Sequence, residues 1–229
     1  MGLSDRPGDD RYRYTLASRV DDLEALLDHA GAREKITLIV HDWGGMIGMA
    51  YAARYPDRIK KIVLLNTAAF PLPPSKAFPW PLRIARDLGV GSRLVEHHNA
   101  FARVAARVCV TRAPLSDEVR RAYLAPYEQP GTSLATLRFV QDIPLGPRDP
   151  AFALLQETSS RLGLLADRPI LIGWGGRDFV FDQQFLAVWR AIYPAAQVDY
   201  YPDSGHYILE DEAATLGPRI CHFVRQERP

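Results

Sequence analysis

The stretch ITLIVHDWGGMIGMAYAARYPDRIKKIVLLN, residues 36–66, contains the pattern that decides the fold. Residues 36–40 form a short β-branched and apolar run without alternation, which is typical of a strand buried on both faces of a parallel sheet. Residues 44–55 predict a helix whose small side chains let it pack close to a sheet, and Pro56 ends it. Residues 59–65 predict a second buried strand. This order of elements indicates a parallel α/β unit.

The same alternation continues on both sides of this unit. Residues 15–30 have apolar side chains at helical spacing, and Gly31 follows where a left-handed cap is favoured. Strands are predicted at 170–174 and 197–201, a helix lies between them at about 183–193, and a last helix ends near Arg225. The sequence therefore predicts an α/β fold with a doubly wound, mostly parallel sheet and right-handed crossovers.

The alternation fails between residues 70 and 167. This segment opens with the proline-rich FPLPPSKAFPWPLR and then shows helical patterns at 93–110, at 116–127 and near Ala135. A separate small helical domain is the alternative, but no Gly/Ser-rich linker flanks the segment. We therefore expect a helical cap at 70–167, inserted into one α/β core made of 1–69 and 168–229.

Composition narrows the class of protein. The chain has 229 residues, 47% of them hydrophobic and 24% charged, with a net charge of +1, which indicates one globular domain. Its lysines and arginines are scattered, so no nucleic-acid partner is expected. Cys109 and Cys221 lack metal-ligand spacing and are predicted to be buried thiols of a reducing compartment. Without a secretory signal or a membrane span in the sequence, a cytoplasmic location is expected.

The segment HDWGG, residues 41–45, lies where the first strand of the unit gives way to the helix. A strand, a sharp glycine-rich turn and a helix of small residues form the layout of a nucleophile elbow, which lifts one side chain clear of the sheet. Backbone N–H groups and the helix dipole favour developing negative charge at that point. Asp42 is the lifted residue. This segment alone leaves two roles open, a catalytic nucleophile or the N-cap of the helix.

A carboxylate nucleophile forms an ester or anhydride, so a histidine base and an acid that orients it should follow along the chain. Asp178 comes directly after the strand RPILIGWGG, and His206 follows the strand QVDYY. The order Asp42, Asp178, His206 therefore matches nucleophile, acid and base. The other usual position for the acid, after the strand IVLLN, is Asn66, which has no carboxylate. Asp178 is the preferred acid.

Trp43 directly follows the candidate nucleophile. Its indole N–H only donates hydrogen bonds, so beside the elbow it could hold a leaving anion or an oxyanion. The alternative role is an aromatic side chain packed under the cap.

Other polar residues near the candidate site have simpler predicted roles. Asp182 is predicted to cap a helix, and Asp203 to lie in a turn. His41 is predicted to support the nucleophile from the preceding position. Surface or core positions are expected for the remaining histidines, which are His29, His97, His98 and His222. No metal site and no cofactor are implied.

The segments HDWGGMIGMAYA, GWGGRDFVFD and SGHYILED resemble the aspartate-nucleophile branch of the α/β-hydrolase superfamily, which includes haloalkane dehalogenases and epoxide hydrolases. Within this haloalkane-dehalogenase-like branch, GLSDRPGDDRYRYTL, FPWPL, YLAPY and TLRFVQDIPL are similar to the β-lactone decarboxylases of bacterial olefin biosynthesis. The resemblance implies an α/β-hydrolase fold. It also implies a long-chain β-lactone substrate, conversion to a cis-alkene and CO2 without a cofactor, and possible assembly with other enzymes of that pathway or as a homo-oligomer.

The resemblance also implies roles for the candidate residues. Asp42 attacks the lactone, Trp43 stabilises negative charge, and His206 with Asp178 activates the water that frees Asp42. Haloalkane dehalogenation stays open because it uses the same residues. Epoxide hydrolases of this branch use two well-separated cap tyrosines, whereas Tyr123 and Tyr127 are four residues apart.

One departure from the family pattern concerns the amino-terminal region. In the family, GLSDRP follows the fourth strand, and earlier strands carry the loop that supplies a second oxyanion or halide contact. Here GLSDRP, at residues 2–7, follows Met1 directly. We therefore expect an amino-terminally shortened chain whose strand at 36–40 is an exposed apolar edge, with low activity alone. An inactive remnant that acts as a partner subunit is the non-enzyme alternative.

Overall fold

The computed structural model describes residues 2–129 and 131–226, and its centre is one parallel sheet. Its strands are β1 (Ile36–Asp42), β2 (Ile59–Thr67), β3 (Ile170–Gly175) and β4 (Gln197–Tyr201), hydrogen-bonded in the order β1-β2-β3-β4. All four predicted strands are confirmed. The first three continue one or two residues beyond the predicted ends, so β1 and β2 reach the polar residues that follow their apolar runs.

Helices cover both faces of the sheet. Along β2, Ile62 and Leu64 face the larger hydrophobic cluster, whereas Val63 and Leu65 face a smaller one. The larger cluster includes side chains of α1 (Leu16–His29), α2 (Trp43–Arg54), α8 (Phe152–Arg161) and α9 (Gln183–Ile192); the smaller one includes side chains of α10 (Ile208–Asp211) and α11 (Ala213–Arg225). This two-sided burial confirms the predicted doubly wound α/β architecture.

Small residues of α2 allow it to lie very close to the sheet. A Cβ atom added at Gly48 would lie 2.8 Å from Val40 Cγ1, and one added at Gly45 would lie 1.9 Å from Thr67 Oγ1. Neither position has room for a side chain. The close approach predicted from the glycines of this helix is confirmed.

Five α-helices lie between β2 and α8 in the residues that the structure describes. They are α3 (Trp80–Asp87), α4 (Gly89–His98), α5 (Ala100–Val108), α6 (Asp117–Leu124) and α7 (Leu134–Gln141). The helical pattern predicted over 93–110 is confirmed, and it forms two helices because Asn99 adopts a left-handed conformation with φ 50° and separates α4 from α5. Helices α3 and α8 were not predicted.

The division into a core and a cap at 70–167 stays a prediction. Leu155 of α8 belongs to the same hydrophobic cluster as Met49 of α2, so this late part of the segment packs with the core helices. No helix within residues 2–129 and 131–226 is long and apolar enough to cross a membrane.

Strand β1 lies at the edge of the sheet. Within the described ranges it pairs with β2 alone, and Ile39 is 50% exposed. This confirms the expected apolar edge in the part of the chain that the structure describes. Cys109 is buried as predicted, but the prediction is wrong for Cys221, which lies on the exposed face of α11.

Candidate active site

Asp42 stands at the junction of β1 and α2. Its backbone has φ 50° and ψ −126°, in the left-handed half of conformational space that non-glycine residues rarely adopt. Its side chain makes no capping hydrogen bond to α2, so the N-cap reading is wrong. The side chain is 43% exposed and lines a cavity above the carboxyl end of the sheet. Its role as a nucleophile stays a prediction.

His206 lies between the two predicted carboxylates. Its Nδ1 atom is 2.7 Å from Asp178 Oδ2, and its Nε2 atom is 4.0 Å from Asp42 Oδ1. The structure thus brings together all three side chains predicted from their positions after β1, β3 and β4. Burial acts to lower the pKa of His206, but the hydrogen bond and charge of Asp178 and the charge of Asp42 outweigh it and raise the pKa.

Asp178 is fixed by the main chain of its own loop. Its Oδ1 atom accepts hydrogen bonds from the N–H groups of Val180 at 2.7 Å and Phe181 at 3.1 Å. The carboxylate is therefore held with Oδ2 directed at the imidazole.

Asn66, at the other usual acid position, has a structural role. Its amide nitrogen donates to the carbonyl oxygens of Gly175 and Phe181, and its amide oxygen accepts the N–H of Gly175. These bonds join the end of β2 to the loop that carries Asp178. Asn66 thus supports the acid loop without orienting the histidine.

His41 packs beside His206, with ring centroids 4.7 Å apart. Burial, followed by the charge of His206, lowers the pKa of His41. Neutral His41 therefore places its proton on Nε2 and donates it to the main-chain oxygen of His206, 2.8 Å away. His41 thus contacts the loop that carries His206, and its predicted support of the nucleophile stays a prediction.

The cavity beside Asp42 has a volume of about 770 Å³. Trp43 lies in its wall, and its ring packs edge-on against Phe139 of α7 with centroids 5.1 Å apart. Most other wall residues are apolar and include Phe70, Leu82, Val95, Val104, Val108, Val140, Phe181 and Phe185. The wall suits an apolar ligand.

The remaining candidates lie outside the cavity wall. Asp182 is the N-cap of α9 and accepts the N–H of Gln184 at 2.9 Å, as predicted. Asp203 lies in a turn, as predicted, and pairs with Arg177 at 2.8 Å. His29, His98 and His222 are on helices, and the side chain of His97 is outside the described residues. Among the residues that the structure describes, no cluster could hold a metal ion.

Sequence reasoning missed Asp211, at the end of α10. Its carboxylate accepts hydrogen bonds from the main chain of Thr111, 100 positions earlier, and from Gly205 in the loop of His206. No short-range pattern indicates a contact between segments so far apart in the chain.

Comparison with known proteins identifies the family. The α/β-hydrolase fold family matches residues 1–213. The chain is 52% identical to a cis-3-alkyl-4-alkyloxetan-2-one decarboxylase of Shewanella oneidensis, over 98% of this chain and 71% of that protein. It is 46% identical to one of Xanthomonas campestris pv. campestris, over 99% of this chain and 77% of that protein. A crystal structure of a haloalkane dehalogenase from Agrobacterium tumefaciens superimposes with a TM-score of 0.85 at 21% identity, covering 99% of this chain and 78% of that one. The chain belongs to the α/β-hydrolase fold family.

Proposed function

We propose that this protein is a β-lactone decarboxylase that converts a cis-dialkyl β-lactone into a cis-alkene and CO2 through an ester at Asp42. The observation that carries the proposal is Asp42 itself, held in a strained elbow at an apolar cavity with His206 Nε2 4.0 Å away. The 52% and 46% identities to oxetan-2-one decarboxylases support the substrate class, because an oxetan-2-one is a β-lactone.

In the first step, an oxygen of Asp42 attacks C4, the alkyl-bearing ring carbon that is bonded to the ring oxygen. A carbon–oxygen bond forms to Asp42, the ring carbon–oxygen bond breaks, and its electron pair stays on the released carboxylate. The indole N–H of Trp43, beside Asp42 in the cavity wall, is the candidate donor to this carboxylate.

In the second step, the bond between the neighbouring alkyl-bearing carbon, C3, and the carboxylate carbon breaks. Its electron pair forms the alkene and expels Asp42 as a free carboxylate, while CO2 leaves. Inversion in the first step and an anti elimination in the second convert a cis-lactone into a cis-alkene. The two products contain the same atoms as the lactone, so no water is consumed.

Because no water is consumed, the role proposed for His206 differs from the activation of water that the resemblance implies. A base that activates water is required for haloalkane hydrolysis, but the elimination requires only that the leaving Asp42 carboxylate be stabilised. Asp178 raises the pKa of His206 and favours the imidazolium form. We assign the imidazolium to stabilising the departing Asp42 charge.

Haloalkane dehalogenation is the second candidate function. A haloalkane dehalogenase of Mycolicibacterium smegmatis is 30% identical over the whole of this chain, and the triad and Trp43 are compatible with that chemistry.

Epoxide hydrolysis is disfavoured, because Tyr123 and Tyr127 do not line the cavity and the Tyr123 hydroxyl donates to Glu210 at 2.7 Å. The chain length of the substrate and assembly with other enzymes of an olefin pathway stay predictions.

The test is a product assay in water enriched in oxygen-18. The protein is incubated separately with a long-chain cis-β-lactone, a haloalkane and an epoxide, and alkene, halide and diol are measured. We expect alkene from the lactone, no oxygen-18 in the peptide that carries Asp42, and no activity in Asp42→Asn. The matched control, Asp199→Asn, removes a carboxylate that pairs with Arg219 outside the cavity and should remain active.

Each other outcome points to a different conclusion. Halide with oxygen-18 in Asp42 supports the dehalogenase, and diol supports an epoxide hydrolase. Alkene formation by Asp42→Asn contradicts the covalent mechanism. Absence of turnover with all three substrates supports the alternative of an inactive partner subunit.

A further inference from the structure

The loop 203–207, which carries His206 and is here called the base loop, is held against a segment from the other side of the cavity. That segment, residues 109–112, follows α5 and is here called the cap loop. The N–H of Tyr207 donates to the carbonyl oxygen of Cys109 at 2.7 Å, and the hydroxyl of Thr111 donates to the carbonyl oxygen of Asp203 at 2.6 Å. The two loops therefore touch main chain to main chain.

Glycine at position 205 permits this contact. A Cβ atom added there would lie 2.7 Å from the carbonyl oxygen of Cys109 and 2.9 Å from Thr111 Cγ2. The base loop and the cap loop are thus as close as their backbones allow.

The Asp211 side chain forms hydrogen bonds with both loops. Its Oδ2 atom accepts the N–H of Gly205 at 2.7 Å and the N–H of Thr111 at 3.1 Å, and its Oδ1 atom accepts the N–H of Arg112 at 3.1 Å. One carboxylate thus binds main-chain donors of both loops, on either side of the contact. Hydrogen bonds from N–H groups to a carboxylate are about twice as strong as those between neutral groups.

The opposite side of the base loop is held from the sheet. The Nε2–H of His41 donates to the main-chain oxygen of His206. His206 is therefore positioned from the core by His41 and from the cap side by Asp211. Its own side chain must keep a 2.7 Å bond to Asp178 while it points at Asp42, and a displacement of about 1 Å can cost a factor of about 100 in rate.

We propose that Asp211 is a positioning residue for the reaction, which sets the place of His206 by joining the base loop to the cap loop. Asp211 does not line the cavity and touches no reacting atom. When the Asp211 carboxylate is removed, the N–H of Gly205 loses its acceptor, and the imidazole of His206 moves away from Asp178. The role of His206 in turnover rests on the proposed function, whereas its position in the loop does not.

The first test measures the position of His206 without substrate. The pKa of His206 is followed by proton NMR in the wild type, Asp211→Asn and Asp203→Asn, with His206→Gln used to assign the signal. Asp203→Asn is the matched control, because it removes one negative charge from the base loop but leaves the main-chain contacts in place. We expect the pKa of His206 to fall clearly more in Asp211→Asn than in Asp203→Asn. A loosened contact with Asp178 would no longer raise the pKa of the imidazole.

The second test is kinetic. We expect kcat for the lactone to fall by about tenfold or more in Asp211→Asn, a part of the factor of about 10² to 10⁴ that a well-placed acid or base contributes. Thr111→Val keeps the side-chain shape and removes the hydroxyl contacts to the base loop and to Asp211. It should lower both the pKa of His206 and kcat, but by less than Asp211→Asn does. If Asp211→Asn does not fold, this variant still tests the proposal.

The proposal is overturned if Asp211→Asn changes the pKa of His206 no more than Asp203→Asn does. It is also overturned if only KM and the melting temperature change, because that pattern indicates a role in holding the cap alone. If the wild type does not convert the lactone, the proposed function fails, yet the NMR measurement still decides whether Asp211 positions His206.

Discussion

At the scale of the residue, His206 experiences opposing effects on its proton. Burial favours the neutral ring, while Asp178 and Asp42 favour the imidazolium and raise its pKa. His41, whose ring centroid is only 4.7 Å away, has a lowered pKa and stays neutral, so the positive charge of the pair lies on His206. This assignment gives the two candidate reactions opposite dependences on pH.

For β-lactone decarboxylation, we expect kcat/KM to fall as the pH rises through the raised pKa of His206, because deprotonation removes the charge that stabilises Asp42 on departure. Once Asp42 is esterified, one charge that raises this pKa is gone, so the kcat profile should fall at a lower pH than the kcat/KM profile. The measurement is a pair of rate profiles from about pH 5 to about pH 10, a range that spans the ordinary histidine pKa.

Asp178→Asn is the informative variant for these profiles. Removing the carboxylate that raises the pKa should move the falling limb to lower pH. A wild-type rate that instead increases with pH through the same pKa indicates that neutral His206 acts as a base, as hydrolysis of a haloalkane requires.

These three residues could be predicted from the sequence because each lies at or just beyond the carboxyl end of a strand. Asp42 is the last residue of β1, whereas Asp178 and His206 come shortly after β3 and β4, and the carboxyl ends of parallel strands meet at one edge of a sheet. Asp211 could not be predicted in this way. Its proposed role depends on hydrogen bonds to main-chain groups of a distant loop. Every residue type except proline has the same main-chain donor and acceptor, so these bonds cannot be read from the sequence.

At the scale of the element, the packing of α2 sets the direction in which Asp42 points. The helix begins at Trp43, directly after the elbow, and its first turn contacts the ends of β1 and β2. Gly45 is the point of closest approach, with Thr67 Oγ1 and the Ala68 carbonyl oxygen in the place that a Cβ would occupy.

Gly45→Ala should therefore lower the free energy of unfolding by at least about 1–3 kcal/mol, the usual cost of inserting a methyl group into a filled core. Gly44→Ala is the matched control, since its Cβ would meet only Val40 Cβ at an ordinary 3.7 Å. Denaturant unfolding of both variants measures the difference. Equal stability of the two variants would mean that the helix does not depend on contact at Gly45.

The helices between β2 and β3 were harder to predict than the strands and the helices that follow them. The apolar spacing of α4 continues into α5, so the pattern favours one helix over 93–110. A single left-handed residue, Asn99, redirects the chain between them. Hydrophobic spacing records which side of a helix is buried, and it does not record such a change of direction at one residue.

At the scale of the whole molecule, a buried ion pair joins the two parts of the chain. Arg19 of α1 contacts Asp142, at the end of α7, at 2.7 Å, and both side chains are 6% exposed. The guanidinium also lies 3.7 Å from the ring centroid of Phe139 and 5.2 Å from that of Trp43. One Arg19 nitrogen is buried without a hydrogen-bond partner among the described residues. The pair thus links α1 to the end of α7 and to the cavity wall.

Arg19→Met should lower the free energy of unfolding by about 3–5 kcal/mol, because it leaves the Asp142 carboxylate buried and unpaired. The double variant Arg19→Met, Asp142→Leu should recover most of this loss, since it removes both charges. Arg33→Met, which breaks an exposed pair with Asp28, should cost less than about 1 kcal/mol. A double variant as unstable as the single one would show that Arg19 acts mainly through the aromatic rings.

The strained backbone of Asp42 also bears on how the chain changes over time. A φ of 50° combined with a ψ of −126° lies outside the left-handed helical region that asparagine and aspartate tolerate, and it is readily adopted only by glycine. Selection for folding alone would therefore favour glycine at position 42, and a lineage relieved of any need for the carboxylate would gain stability by losing it. The aspartate at position 42 therefore costs backbone strain, which fits the chemical role proposed for its carboxylate.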